Sequence, residues 1–141
     1  MTIEQALLLP LFLHMVLILW VGARTIRARF AAVMGGKTKL STIALNSGAW
    51  PDDVRKFGNN FDNQFEVPML WYAVCGLLIV TGKADWISVG LSTAFLVARV
   101  AHSVVHTGSN RVPLRMRVFL ASVAVVLAMW TWFAIRLYVI G

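Results

Sequence analysis

Four long apolar runs dictate what this chain can become: Ala6–Ala23, Val67–Gly82, Trp86–Ala98 and Val118–Ile135. A domain of 141 residues has too little interior to hide all four from water, whereas a helical bundle in lipid needs no polar outer face. Composition agrees, with 59% hydrophobic residues and a mean hydropathy of +0.74, far from the average soluble domain. An α-helical span needs about 20 residues, so the second and third runs must draw in the polar neighbours Asn59–Glu66 and Arg99–His106. Strands are a poor alternative, because no segment alternates polar and apolar residues with period two over about ten positions. The expectation is an all-α integral membrane protein, a single four-transmembrane-helix bundle over residues 1–141 with spans near 4–28, 59–82, 85–107 and 113–139.

Charge then orients the bundle. The first basic residue, Arg24, follows the first apolar run, so the charged start of a signal peptide is missing and the first helix is expected to stay. Arg24, Arg27, Arg29, Lys37, Lys39, Arg55 and Lys56 crowd the first connection, and Arg111, Arg115 and Arg117 follow the third span. The second connection carries only Lys83 and the far end only Arg136. This bias predicts cytoplasmic first and third connections, with both termini periplasmic in a bacterial inner membrane. Trp86, Trp132 and Tyr138 fall at the outer interface and Trp20 at the inner one, as anchoring rings do. The net charge of +7 is thereby topological. No nucleic-acid motif accompanies it, and nucleic acid is excluded as a partner. The one cysteine, Cys75, cannot form an intramolecular disulfide and is expected to pack inside the second span.

The first connection, Ala31–Arg55, contains the turn signals "MGGKTKLS" and "LNSGAWPDD", with "STIALN" between them as an interfacial segment. Pro51 reads as a helix start with Asp52 and Asp53 in the first turn, and that helix should run past Gly58, a candidate kink, into the second span.

On such a helix Asn59, Asn63, Glu66 and Leu70 share a face at spacings of four, three and four, with Asp62 beside them. A carboxylate facing hydrocarbon is disfavoured by several kcal/mol, so Glu66 needs a cationic partner. Arg99 supplies one on the third span, on a face shared with His102 and His106. A Glu66–Arg99 ion pair is expected. By itself such a pair serves equally to lock two helices or to hold a ligand. Asn110, Arg115 and Arg117 add more donors near the same membrane face than one ion pair requires, and a polar anionic ligand would satisfy them. A metal on His102 and His106 with Glu66 or Asp62 is disfavoured by the guanidinium on the same face, and none is expected. His14, mid-span in the first helix, is expected to bond a neighbouring helix or the carbonyl freed by Pro10. Proton transport ranks last, for want of a continuous path.

An Asn-x-x-Glu followed shortly by proline (Asn63, Glu66, Pro68), an Arg-x-x-[ring]-x-x-x-[ring] ending the third span (Arg99, His102, His106), and a basic residue opening the fourth occur here in order, on four spans. Together they resemble the membrane-associated proteins in eicosanoid and glutathione metabolism, the MAPEG family, which includes microsomal glutathione transferases and the leukotriene-forming synthase. The resemblance covers the whole chain. It implies a homotrimer that binds glutathione as co-substrate between subunits near the cytoplasmic face and takes lipophilic small molecules from the membrane. Asn63 and Glu66 would hold the peptide's amino or amide groups, Arg99 would support Glu66 or a carboxylate, and Asn59, His102 and His106 would complete the ligand contacts. Arg115 or Arg117 would stabilise the thiolate, the nucleophilic form of the thiol.

The chain also departs from the pattern. Asn59 stands where better-known members carry arginine, His102 and His106 stand for tyrosines, and the glutamate–proline spacing is shortened to Glu66-Val67-Pro68. Histidine can donate hydrogen bonds as tyrosine does, and Arg55 or Lys56, one turn upstream, is the expected source of the missing cation. Two functions follow: a glutathione-dependent transferase or peroxidase, or a non-catalytic trimer that keeps the polar ring for folding, lipid binding or partner association.

Overall fold

The computed structural model describes residues 1–44 and 46–140. Six α-helices follow one another: α1 Ile3–Met34, the short α2 Leu40–Ile43, α3 Asp52–Asp62, α4 Val67–Val80, α5 Trp86–Thr107 and α6 Val112–Ile135. A 3-10 turn, Ser47–Ala49, precedes α3, and a π-helical turn, Arg136–Ile140, prolongs α6. Taking α3 with α4 as one span and α6 with its last turn as another, four helical units among the described residues are long and apolar enough to cross a membrane. The surface and interior are distributed accordingly. Phe12, Val16, Leu19, Val97 and Leu127 are exposed, while His14, Asn60, Gln64, Arg99, His102, Ser103 and His106 are buried, which suits lipid outside and hydrogen-bonded polar groups between helices.

Thr2 opens α1 with a capping box, its hydroxyl accepting from the Gln5 backbone N–H and its own N–H donating to Gln5 Oε1. At 32 residues, α1 is about 48 Å long against a hydrocarbon core of about 30 Å. Its end therefore projects beyond the core, carrying Arg24, Arg27 and Arg29. There α3 lies against it. Gly22 leaves room for Phe61, whose Cε2 would be 3.1 Å from an added Cβ, and Thr25 Oγ1 donates to the Phe57 carbonyl at 3.0 Å. Outside the bundle, Lys37 pairs with Asp53 at 2.8 Å and Arg55 with Asp52 at 2.6 Å. Pro51 caps α3, with Asp52 and Asp53 in its first turn as expected. Helix α2 takes in the first three residues of the "STIALN" segment, Ser41 to Ile43, and the segment's Leu45 lies outside the described residues.

The four helical units are Ile3–Met34, Asp52–Val80, Trp86–Thr107 and Val112–Ile140, where spans near 4–28, 59–82, 85–107 and 113–139 are expected. Helix α3 runs unbroken through Gly58, and the second span breaks instead at Asn63–Glu66, between α3 and α4. Pro68 explains the position: in a continuous helix its ring would clash with the Gln64 carbonyl, and it has no N–H to bond it. Glu66 takes non-helical torsions (φ −85°, ψ −96°) as the residue before α4, so Asn59, Asn63 and Glu66 do not continue one helical face.

Helices α5 and α6 pack most extensively on each other, α1 lies on α5 and α3, and α4 lies mainly on α6. The apolar core gathers Leu7, Trp71, Cys75, Leu78, Phe95, Val126 and Met129. The Trp71 and Phe95 rings meet tilted by 38° with centroids 4.6 Å apart, and Trp71 Nε1 donates to Ser92 Oγ at 3.1 Å. Cys75 is buried in this core, as expected of a packing residue. At the end of the bundle where α5 begins, Asp85 caps α5 with Ser88, accepts from Trp132 Nε1 at 3.0 Å and lies 3.4 Å from Arg136 Nε. Replacing Asp85 by alanine removes a cap and leaves the indole N–H without its partner. The expected loss is about 2 kcal/mol, read as a lower thermal midpoint in detergent. An unchanged midpoint would show that this end contributes little.

Candidate functional site

The polar residues converge where the second span breaks. Gln64, only 1% exposed, is the hub. Its Nε2 donates to the Asn60 carbonyl at 3.0 Å and to Ser103 Oγ at 3.0 Å. Its Oε1 accepts from Arg99 Nη2 at 3.4 Å and faces His14 Nε2 at 3.2 Å. Because a guanidinium can only donate, Oε1 is the atom turned toward Arg99. His14 must then donate from Nε2 and accept at Nδ1 from the Tyr72 hydroxyl, 2.9 Å away. His14 thus bonds neighbouring segments, as expected for a lone intramembrane histidine, through side chains rather than through the carbonyl near Pro10.

Arg99 departs from expectation. It is fully buried, and besides Gln64 it donates through Nη2 to the Asn63 backbone carbonyl. No Glu66–Arg99 ion pair forms: the pairs among the described residues are Lys37–Asp53, Arg55–Asp52 and Arg136–Asp85. The break is the reason. It turns Glu66 outward, where it is exposed, and offers Arg99 a freed carbonyl instead. Arg99 fastens the interruption of one span to the body of another.

In front of this network lies an open cleft of about 380 Å³. Asn59, Asp62, Asn63 and Glu66 form one wall. His102 and His106 come from α5, their rings edge to face at 5.4 Å. The opposite wall is Arg115, Met116 and Phe119 of α6. Arg115 is held at the mouth by a 2.9 Å bond from Nη1 to Asn110 Oδ1. Asn110 adopts a positive φ of 48° in the turn after Gly108, a position where an added Cβ would meet the Val104 carbonyl oxygen at 2.8 Å. That tight turn brings the start of α6 back over the end of α5.

Of the residues expected from sequence, Asn59, Asn63, Glu66, His102, His106 and Arg115 line this cleft, whereas Arg99 stands behind it. Arg117 lies elsewhere, in a groove on the far side of α5 and α6. Two cations approach Asn59: Arg29 of α1 and Arg55 of α3 share with Asn59 and Asp62 a hollow of about 90 Å³ beside the cleft. Arg55, one of the two residues expected there, is also bound to Asp52 and the Gly48 carbonyl, whereas the Lys56 ammonium sits over the Phe57 ring at 5.3 Å and does not line the hollow. Arg29 stacks over Trp50 at 5.3 Å and fits because Gly58 has no side chain, an added Cβ lying 3.0 Å from its Nη2. Sequence reasoning missed Arg29, and it missed Gln64 and Asn60, although their spacing of four on a helix was a usable signal.

Several buried nitrogens have no protein partner: both of His106, Nδ1 of His102, Nε and Nη1 of Arg99, and Nδ2 of Asn60. A buried polar group left unsatisfied costs about 1–3 kcal/mol, so the back of the cleft is chemically suited to a polar guest. Among the described residues no group of three His, Cys, Asp or Glu side chains could hold a metal ion.

Four membrane-spanning helices enclosing a polar cleft at one end define a multi-pass integral membrane protein. The family model for the MAPEG family matches residues 7–135, nearly the whole chain, and the protein belongs to that family. Comparisons with curated proteins and with solved structures returned no match.

Proposed function

We propose that the cleft binds glutathione and that the protein is a glutathione-dependent transferase or peroxidase acting on lipophilic electrophiles or hydroperoxides. Family membership supports the substrate class at a coarse level. The observation that carries the reading is the meeting of Arg115, His102 and His106 with the Asn59–Glu66 wall in one cleft. In this reading Asn63 and Glu66 take the peptide's amino and amide groups, and Arg29, beside Asn59, takes a carboxylate. His102 and His106 hydrogen-bond the peptide. Arg115 stabilises the thiolate as an adjacent guanidinium does, which raises the population of the nucleophile. Met116 and Phe119 offer the apolar side from which a lipophilic partner would be met. The cleft faces the cytoplasm by the positive-inside bias, with the termini periplasmic, and the working unit is a homotrimer.

Isothermal titration of the detergent-purified protein with glutathione tests this reading. Binding at millimolar ligand or tighter is expected, weakened when Arg29 or Glu66 is replaced by alanine. Absence of binding at that concentration would leave the non-catalytic reading, for which the Gln64–His14–Arg99 network speaks: it is bonded largely within the protein and holds helices together whether or not a ligand is present.

A further inference from the structure

We propose that the groove between α5 and α6 is a binding site for one anionic phospholipid, with Arg117 as its headgroup contact. The groove has a volume of about 660 Å³. Its α5 wall is Gly90, Ala94, Ala98 and Ala101 with Thr93 and Val97 between them, and its α6 wall is Val118, Ala121 and Val125. From Gly90 to Ala101 the helix rises about 17 Å, close to the depth of one leaflet, half of the roughly 30 Å core. Small side chains on α5 thus leave a trough the length of an acyl chain.

Arg117 is the one charged residue lining this trough. It sits in the second turn of α6, toward the end nearer the α5–α6 turn, and is exposed. Among the described residues it has no carboxylate within ion-pair distance and no side-chain hydrogen bond, in contrast to Arg115, two residues away and bound to Asn110. A cation on a lipid-facing surface without a partner costs several kcal/mol unless it reaches an anion at the headgroup level. A phosphate above the trough supplies that anion, and its acyl chain fills the trough. Sign and shape point to the same occupant. A second outward groove, between α1 and α5, is lined by Leu13, Val16, Leu17, Trp20, Leu96 and Val100 without a charged residue. It has room for a chain but nothing to select a headgroup.

Native mass spectrometry of the delipidated full chain in detergent, with added phosphatidylglycerol or phosphatidylcholine, tests the proposal. One retained phosphatidylglycerol per chain is expected, preferred about fivefold over phosphatidylcholine. Arg117→Gln should abolish the preference and Arg117→Lys should keep it. Ala98→Leu, which fills the trough with the cation in place, should lose the retained lipid. Arg27→Gln, removing an exposed cation on α1, should leave retention as in wild type. Equal retention by wild type and Arg117→Gln would overturn the proposal, as would a loss with Arg27→Gln as large as that with Arg117→Gln. A change in the number of chains per particle on Ala98→Leu would identify the groove as a seam between copies, and would overturn it too. None of these outcomes depends on whether the cleft binds glutathione.

Discussion

Gln64→Ala is expected to destabilise the protein by about 2–3 kcal/mol, since it leaves the buried His14 Nε2 without a partner, which costs about 1–3 kcal/mol, and removes one bond from each of two further buried groups. Those two are Arg99 Nη2, which keeps the Asn63 carbonyl, and Ser103 Oγ, which keeps Asn60 Oδ1. Thermal unfolding in detergent, followed by circular dichroism, reads the effect. Glu66→Gln is the contrast: Glu66 is exposed and makes no ion pair, so its loss should change stability by no more than about 0.5 kcal/mol. Had the expected Glu66–Arg99 pair been the lock between spans, the ranking would be reversed. Equal midpoints for wild type and Gln64→Ala would refute the hub.

The second large effect concerns turnover. Arg115→Ala should lower kcat for conjugation of glutathione to an electrophile by about 100-fold or more, the usual consequence of removing one preorganised group that stabilises developing or bound negative charge. Arg115→Lys should restore only part of the rate, because an ammonium keeps the charge but not the two-pronged guanidinium geometry. Arg117→Ala should fall well short of the loss at Arg115, since Arg117 lies outside the cleft. Comparable losses at both positions would argue against a thiolate contact by Arg115.

The two arginines show what the sequence can and cannot say. Two positions apart on a helix is about 200° of rotation, so Arg115 and Arg117 must face nearly opposite ways. Nothing in the spacing says which one faces the polar side, because that depends on how the turn at Gly108–Asn110 docks α6 on α5. The four-helix membrane fold is legible because hydropathy and the length of a crossing together call for it, even where, as in α5, the last turns are polar. The break at Asn63–Glu66 was not anticipated, although Pro68 foretells it. Spacing by threes and fours runs the helical face straight through the proline, where the backbone cannot continue. From that step came the mistaken partner for Arg99, for opposite charges are paired readily on paper, whereas a freed backbone carbonyl leaves no letter in the sequence. Gln64 is hidden for a related reason, occupying one of the unspecified positions of Asn-x-x-Glu while binding more groups than either named residue.

The interruption of the second span also bears on how the chain crosses the bilayer. Helix α4 has 14 residues, about 21 Å, too short by itself for a core of about 30 Å. The rest of the crossing depends on the broken segment, whose Asn63 carbonyl meets its donor in Arg99, 36 residues further along the chain. A gap in one helix is thus closed by a side chain of the next, so that the second span completes its crossing only in the company of the third.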